Sequence, residues 1–451
     1  MGEAPFSGRR LHFVGIGGAG MSGLALVSQV LGAEVTGSDS ADSPYCARLR
    51  EHGIDPVIGH DAANLPAGAE LVVSTAIPEE NVELRAGRAA GVQVLHRGEL
   101  LGEVSRLKRS IAVAGTHGKT TTASMAAHVL LETGRDPGFL IGGELRAAGT
   151  NAGWGEGEWL VVEADESDRS FLRLARDVAV VLNVELDHHA TYRTLGELER
   201  AYSEFAGPAE LRVLGPGVEV DGQGRVARFG VGEGDLAARG LELLPFGSRF
   251  EVAGVAVELR VPGVHNALNA LAAMAAVRAA GVEPAEAAPA LASFSGAGRR
   301  FEEHGTTTSG AQVFDDYAHH PTEVRATLET ARALAPRRLV ACFQPHLYSR
   351  TQKLAREFGR ALAVADLVVV LDVYPARESQ ADFPGVSGLL VAEATADAAA
   401  GRPVWWLPSM DDAERVLRSE VGEGDVLLTL GAGDVDALAR RLADGAGARA
   451  A

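Results

Sequence analysis

Only two cysteines occur in 451 residues, Cys46 and Cys342, and they lie far apart in the chain. This speaks against a disulfide framework and predicts a reducing compartment. Positive charge is also in short supply: the formal net charge of −18 lacks the basic excess of a general nucleic-acid binder. No apolar run approaches the ~18 residues of a membrane span. The N-terminal stretch MGEAPFSGRR has no apolar core of a secretory signal. The expectation is a cytoplasmic protein without a nucleic-acid or membrane partner. Aromatic residues are sparse at 5%, and the apolar content of 46% is carried by evenly spread leucine, valine and alanine, a globular composition.

What the chain does have is a βαβ rhythm. Short apolar runs such as LHFVGIG, EVTGSD, LVVSTA and VQVLH alternate with helix-length amphipathic segments. At ~150 residues per domain, the length suggests about three domains. The expected divisions fall at residues 1–105, 106–296 and 297–451, all α/β. The first has a Rossmann-like βαβ pattern, the second opens with a phosphate loop in a mixed sheet, and the third restarts the Rossmann-like alternation. Between Leu211 and Val261 glycine turns separate short strands, which predicts antiparallel strands added to the central sheet. Alanine-rich helices are expected from Asn266 and over PAEAAPALASF, and the tail ADGAGARAA is expected to fray.

The strongest chemical signal is GTHGKT, Gly115 to Thr120, between the apolar run SIAVA and a helix-patterned stretch. Glycines let the backbone approach an anion, and the helix N-terminus supplies free N–H groups and the positive end of its dipole. Lys119 would reach terminal phosphates and Thr120 could hold Mg²⁺. Val113 stands where the usual first glycine would be. An earlier GxGxxG, Gly15, Gly17 and Gly20, follows a strand, and Asp39 ends the next one. Alone this pattern suggests NAD, but any pyrophosphate, including that of a UDP-sugar, presents the same anion.

Further polar groups collect at strand ends. Glu163, Asp165, Glu166 and Asp168 follow WLVV, and Glu163 is the expected metal ligand. Asp187, His188 and His189 follow VAVVLNVE. His265, Asn266 and Asn269 open a helix, where helix capping and an adenine contact are both open readings. Arg299 and Arg300 sit at the junction of the second and third segments. The third segment then offers His319 and His320 in DDYAHHPTEV, His346, Tyr348 and Arg350 in FQPHLYSRT, and Arg377 as a carboxylate clamp.

In this order the motifs GIGGAGMSGLA, STAIP, GTHGKTTT, EADESD, NVELDH, GVHNALNA, GRRFE, DDYAHHPTE and QPHLYSRT resemble the Mur ligase family over about residues 11 to 435. Within it, GIGGAGM is most like the branch that adds L-alanine to UDP-N-acetylmuramate. The resemblance implies an ATP-dependent, amide-forming ligase of peptidoglycan precursor synthesis that uses ATP and Mg²⁺ and works as a monomer or homodimer. It implies that Gly115, Thr116, His117, Gly118, Lys119, Thr120 and Thr121 bind the ATP phosphates and that Asn266 meets adenine. Arg300 and Asp316 would approach the nucleotide from across the junction. Thr120 and Glu163 would hold one Mg²⁺, and Glu163 with His188 a second. Gly15, Gly17, Gly18, Gly20, Ser38, Asp39, Ser74 and Thr75 would cradle the UDP-sugar, and His346, Tyr348, Arg350 and Arg377 the amino acid. Lys119, His188, Arg300 and His346 are the implied catalytic residues, with His346 or His319 as the base.

Two departures bear on the metal. The family's D-H-M-D pattern reads Asp187-His-His-Ala here, so either histidine could be the ligand, and Ser203 and Glu204 stand where sister ligases carry a carbamylated lysine. The competing readings are a tripeptide-adding recycling ligase, an NAD-dependent oxidoreductase and a noncatalytic nucleotide-binding module.

Overall fold

The computed structural model describes residues 4–189 and 191–444, so Ala190 and the tail from 445 lie outside the described residues. Its strands form three sheets. The first has five parallel strands in the order Val57–Ile58, Glu34–Asp39, Arg10–Val14, Glu70–Val73, Val94–His96. Winding reverses beside Arg10–Val14, whose carboxyl end therefore opens into a crevice.

The second sheet has ten strands. Its centre is Arg109–Ala114, flanked in parallel by Val178–Val181 and Trp159–Glu163. Ile111 to Ala114 are fully buried, because helices cover both faces of a parallel sheet and leave no solvent side. The antiparallel reading of 211–261 holds only in part. Leu211–Leu214 pairs in parallel with Val178–Val181, and Arg225–Val231 in parallel with Leu211–Leu214. Antiparallel pairing begins only where Leu236–Leu244 meets Gly247–Val252. Leu211 is reached through the helix Leu195–Ala206, and such a crossover returns the chain in the same direction. Glycine spacing carries no information on that direction.

The third sheet has six strands, ordered Glu302–Thr306, Gln312–Asp316, Asp425–Leu430, Arg338–Phe343, Leu367–Val370, Val404–Trp406. Only the edge strand Glu302–Thr306 is antiparallel. Alanine-rich helices lie at Val264–Val277 and Pro284–Ser293. Two apolar clusters flank the third sheet separately, whereas one cluster joins Phe13, Leu24 and Leu100 of the first layer to Leu160, Phe171 and Tyr202 of the second. Among the described residues, no helix is long and apolar enough to cross a membrane.

Candidate active site

Loops at strand ends of all three sheets line one cavity of about 830 Å³. Its floor is the turn after Arg109–Ala114. Gly115 and Gly118 take φ of 142° and 82°, which a side chain would resist, and the helix Lys119–Glu132 starts immediately beyond. Thr120, Gly118 and Lys119 face the cavity. Lys119 Nζ donates to the Gly115 carbonyl at 2.7 Å and to Glu166 at 3.0 and 3.1 Å. Burial opposes its charge, but Glu166, Asp165 and Glu163 outweigh that and raise its pKa. The ammonium is thus fixed at the helix start as a permanent cation.

The next strand brings carboxylates to this cation. Glu163 accepts from Thr120 Oγ1 at 3.2 Å and from the Gly142 amide at 2.8 Å. Asp165, half-buried at the cavity wall, is held down to about 2 despite burial, chiefly by Lys119 and then His188. His188 Nε2 lies 3.3 Å from Glu166 Oε1, while its buried Nδ1 has no hydrogen-bond partner. Burial would lower the pKa of His188, but Glu166 and Asp187 raise it. Asp165, Glu166 and His188 place ligand atoms within 4.8 Å of one another. Hydroxyl, carboxylates and an orphaned imidazole nitrogen form a donor set that fits a hard divalent cation.

The third sheet closes the cavity. Arg300 stacks over Tyr317 at 5.2 Å and reaches Thr120 Oγ1 at 3.5 Å. Asp316 faces Arg300 and accepts from the Phe301 and Ala318 amides at 2.7 and 2.8 Å; burial pushes it up to about 6. Arg350 is 3% exposed and forks onto Asp187 at 3.1 and 3.0 Å, a bidentate pair across the junction. His188, Arg299, Phe301, Leu347 and Ala376 all have positive φ, so backbone strain gathers around this junction.

Family models match the chain in three consecutive stretches: "Mur ligase family, catalytic domain" over residues 10–109, "Mur ligase middle domain" over 113–277 and "Mur ligase, glutamate ligase domain" over 299–433. The UDP-N-acetylmuramate–L-alanine ligase of Streptomyces coelicolor is 46% identical over 454 residues, 96% of this chain and 97% of that one. This chain belongs to the Mur ligase family. The crystal structure of a UDP-N-acetylmuramate-alanine ligase from Thermotoga maritima is also similar, with a TM-score of 0.83 and 29% identity over 97% of this chain and 99% of that one. A murein peptide ligase from Psychrobacter arcticus has a TM-score of 0.75 and 26% identity over 98% and 100%.

In this Mur ligase the cavity gathers Gly20, Thr116, Gly118, Lys119, Thr120, Glu163, His188, Arg300, His346, Arg350 and Arg377 from the sequence-derived set. Other members of that set turn elsewhere. Ser38 is fully buried and donates to Glu83 at 2.7 Å, and Asp39 accepts from the Gly17 amide at 2.8 Å, shaping the glycine turn. Ser74 accepts from Ala76, closing its own loop beside Thr75. Tyr348 stacks on Phe383 at 6.0 Å in a small apolar cluster with Val373 and Val386. Asn266 donates to the Pro262 carbonyl at 2.7 Å and accepts from Asn269, which in turn accepts from Thr122. His188, in the cavity with Glu163, also clusters with Asp165 and Glu166. Ser203 and Glu204 stay outside: Ser203 accepts from the Asp221 amide and Glu204 pairs with Arg169.

Sequence reasoning missed Arg97, Arg48 and Tyr317, which also line the cavity. A methyl group on Gly20 would lie 2.7 Å from an Arg97 guanidinium nitrogen, so that arginine crowds the glycine turn. Its signal was positional, since it directly follows the strand Val94–His96.

Proposed function

We propose that this Mur ligase joins L-alanine to the carboxylate of UDP-N-acetylmuramate with hydrolysis of ATP to ADP and phosphate. Support comes from the cavity itself, where a cation-bearing phosphate loop, a glycine turn for a pyrophosphate and a third-domain arginine face one space. In this reading residues 1–105 bind the UDP-sugar, 106–296 ATP and 297–451 the amino acid. A cytoplasmic location belongs to the reading, because the reaction consumes ATP.

A carboxylate resists an amine because oxide is a poor leaving group. Phosphorylation removes that obstacle: a carboxylate oxygen attacks the γ-phosphorus, the bond to the β-phosphate oxygen breaks, and ADP leaves. Lys119 and Arg300 meet the charge that spreads over the transferring group. Thr120 and Glu163 would hold one Mg²⁺, with Asp165, Glu166 and His188 available to a second. Such an ion supplies charge neutralisation on the phosphate oxygens. The alanine nitrogen then attacks the acyl carbon, and phosphate departs.

That nitrogen must first lose a proton. His346 Nδ1 lies 3.2 Å from Arg350 Nη1 and accepts from it, so Nε2 carries the ring proton and is a donor. His319 Nδ1 donates to the Tyr317 carbonyl at 3.0 Å, leaving Nε2 as a lone pair. Burial puts His319 at about 4 against the pull of Glu323, and burial with His319 and Arg350 beside it puts His346 at about 2, so both stay neutral. We assign His319 as the proton acceptor and His346 as an orienting donor.

The test is phosphate release from Mg-ATP with UDP-N-acetylmuramate plus L-alanine, against omission of each and against L-Ala-D-Glu-diaminopimelate as acceptor. A requirement for both alanine and the nucleotide sugar is expected; release only with the tripeptide would move the protein to the recycling ligases. Lys119→Ala should lower turnover at least about 10²- to 10³-fold with the fold intact. Near-normal ADP formation in that variant would sink the phosphate-loop role.

A further inference from the structure

We propose that His117, Glu185 and His320 form a site for a zinc-class divalent metal, separate from the Mg²⁺ of ATP chemistry, that ties the ATP loop to the third domain. His117 Nε2 is 3.3 Å from Glu185 Oε2, and His320 Nδ1 is 3.7 Å from the same oxygen. All three ligand atoms lie within 4.8 Å of one another. Metal–ligand bonds of about 2.0–2.1 Å in a tetrahedron require edges of about 3.3–3.4 Å, which the two edges to Glu185 at 3.3 and 3.7 Å approach. Two imidazoles and one carboxylate favour zinc-like ions over Mg²⁺, which prefers oxygen alone.

The mounts are rigid. The His117 amide donates to Asn183 Oδ1 at 2.8 Å, and Asn183 Nδ2 returns a bond to the His117 carbonyl. Glu185 exchanges backbone bonds with the Thr116 hydroxyl at 2.9 and 3.0 Å. His320 is buried at the start of the helix Pro321–Arg332, where its Nδ1 accepts only a long 3.4 Å bond from the Thr322 amide, which metal would replace.

Two observations point to a ligand beyond the cluster itself. His117 Nε2 is buried with no hydrogen-bond partner. Its other nitrogen, Nδ1, faces Glu323 Oε1 at 3.5 Å, the carboxylate–imidazole relation that orients a metal-binding histidine. Thr322 Oγ1 donates to Glu185 Oε2 at 2.6 Å and steadies the carboxylate.

The experiment titrates Zn²⁺, and separately Co²⁺, into the full-length protein in excess Mg²⁺, comparing wild type with Glu185→Gln and His320→Gln. Both cysteines are buried, so thiols do not compete. Each variant is expected to bind about one equivalent fewer, with loss of four-coordinate cobalt absorption. Glu323→Gln should weaken binding about 10- to 100-fold. Equal stoichiometry in wild type and both variants, or no uptake by wild type, overturns the proposal. Should a variant misfold, zinc-edge X-ray absorption of the wild type decides, two imidazoles without sulfur supporting the site and fewer than two overturning it.

Discussion

An apolar cluster crosses the first seam of this molecule, and among the described residues none crosses the second. Between the first and second sheets the seam is close and has an apolar centre, with Arg48–Glu144 and Glu99–Arg173 pairs at its edge: a methyl group on Gly23 would lie 3.0 Å from Ala152 Cβ, and one on Gly98 2.4 Å from Ser170 Cβ. One hydrophobic cluster runs across it. Between the second and third sheets, among the described residues, no apolar cluster crosses. The seam is made of Arg350–Asp187, Thr322–Glu185, Arg300–Thr120 and Arg146–Glu302, all polar. Apolar burial is non-directional and is lost whenever the surfaces part. Charged contacts can be exchanged for water or for an anionic ligand at small net change. The first seam therefore holds the glycine turn after Arg10–Val14 against the loop Gly115–Gly118 through apolar packing, whereas the third domain is held there chiefly by polar contacts.

The largest expected effect breaks the polar seam at its one deeply buried pair. Arg350→Met leaves Asp187 buried with the His188 amide and ring beside it, which should cost up to about 3–5 kcal/mol. Burial opposes the charge on Asp187, and Arg350 is the main group holding its pKa well below the carboxylate range. Asp187→Asn combined with Arg350→Met should recover most of that stability in calorimetric unfolding. A loss under about 1 kcal/mol in the single variant would mean that water already reaches the pair.

A smaller effect should follow from crowding the apolar seam. Gly98→Ala must displace Ser170, and Gly102→Ala would set a methyl 2.8 Å from the Arg173 carbonyl. Overpacking of this kind costs about 1–3 kcal/mol each, lowering the melting temperature by about 2–4 °C per kcal/mol. Ser170→Gly should rescue Gly98→Ala. Failure of that rescue would place the strain within the helix Arg97–Ser105 rather than at the seam.

Acidity should separate the seams further. Burial opposes the charge of His117, but the neighbouring carboxylates of Glu185 and Glu323, 3.3 and 3.5 Å from its ring nitrogens, raise it from 6.5 to about 9. Its contribution is complete below about 6.5 and fades as pH rises through about 9. Glu185 is lowered from 4.5 to about 2, mainly by His117, so its contribution is present above 4.5 and fades as pH falls toward 2. Because Glu323 belongs to the third domain and Glu185 to the second, of these two pairs only His117–Glu323 ties the domains, and docking should loosen above pH 9, read as a rise in radius of gyration by small-angle scattering. His117→Gln should flatten the alkaline limb, while amides of the apolar seam keep their exchange protection across the range.

Much of this was legible in the chain because strand ends are written locally. GTHGKT, EADESD and Arg300 announce a cleft, since apolar runs fix where strands stop and polar residues follow. Side-chain direction was not legible. Tyr348 looks like a cleft residue beside His346, but Leu347 turns through φ of 70° and the helix starting at Tyr348 points that ring at Phe383. Ser38 precedes Asp39 at a strand end, yet alternation along the strand sends its hydroxyl inward to Glu83. Arg97 carries no motif and reaches the cavity only because the first and second sheets meet there. Partners contributed by another sheet have no local signature.

The smallest expected effect sharpens the distinction within the polar seam itself. Arg146 and Glu302 pair at 2.9 Å with 35% and 28% of their side chains exposed. Glu302→Gln should cost no more than about 1 kcal/mol, because water solvates both ends and two long side chains must be ordered to meet. What it does cost should fall as salt rises past physiological strength, where screening acts within about 8 Å. Arg350→Met should show no such salt dependence, its partner being shielded from ions. If Glu302→Gln instead cost as much as Arg350→Met, the seam would be a cooperative network rather than one buried lock with a solvated rim. Docking of the third domain would then respond to any of its charges, not chiefly to those beside His188.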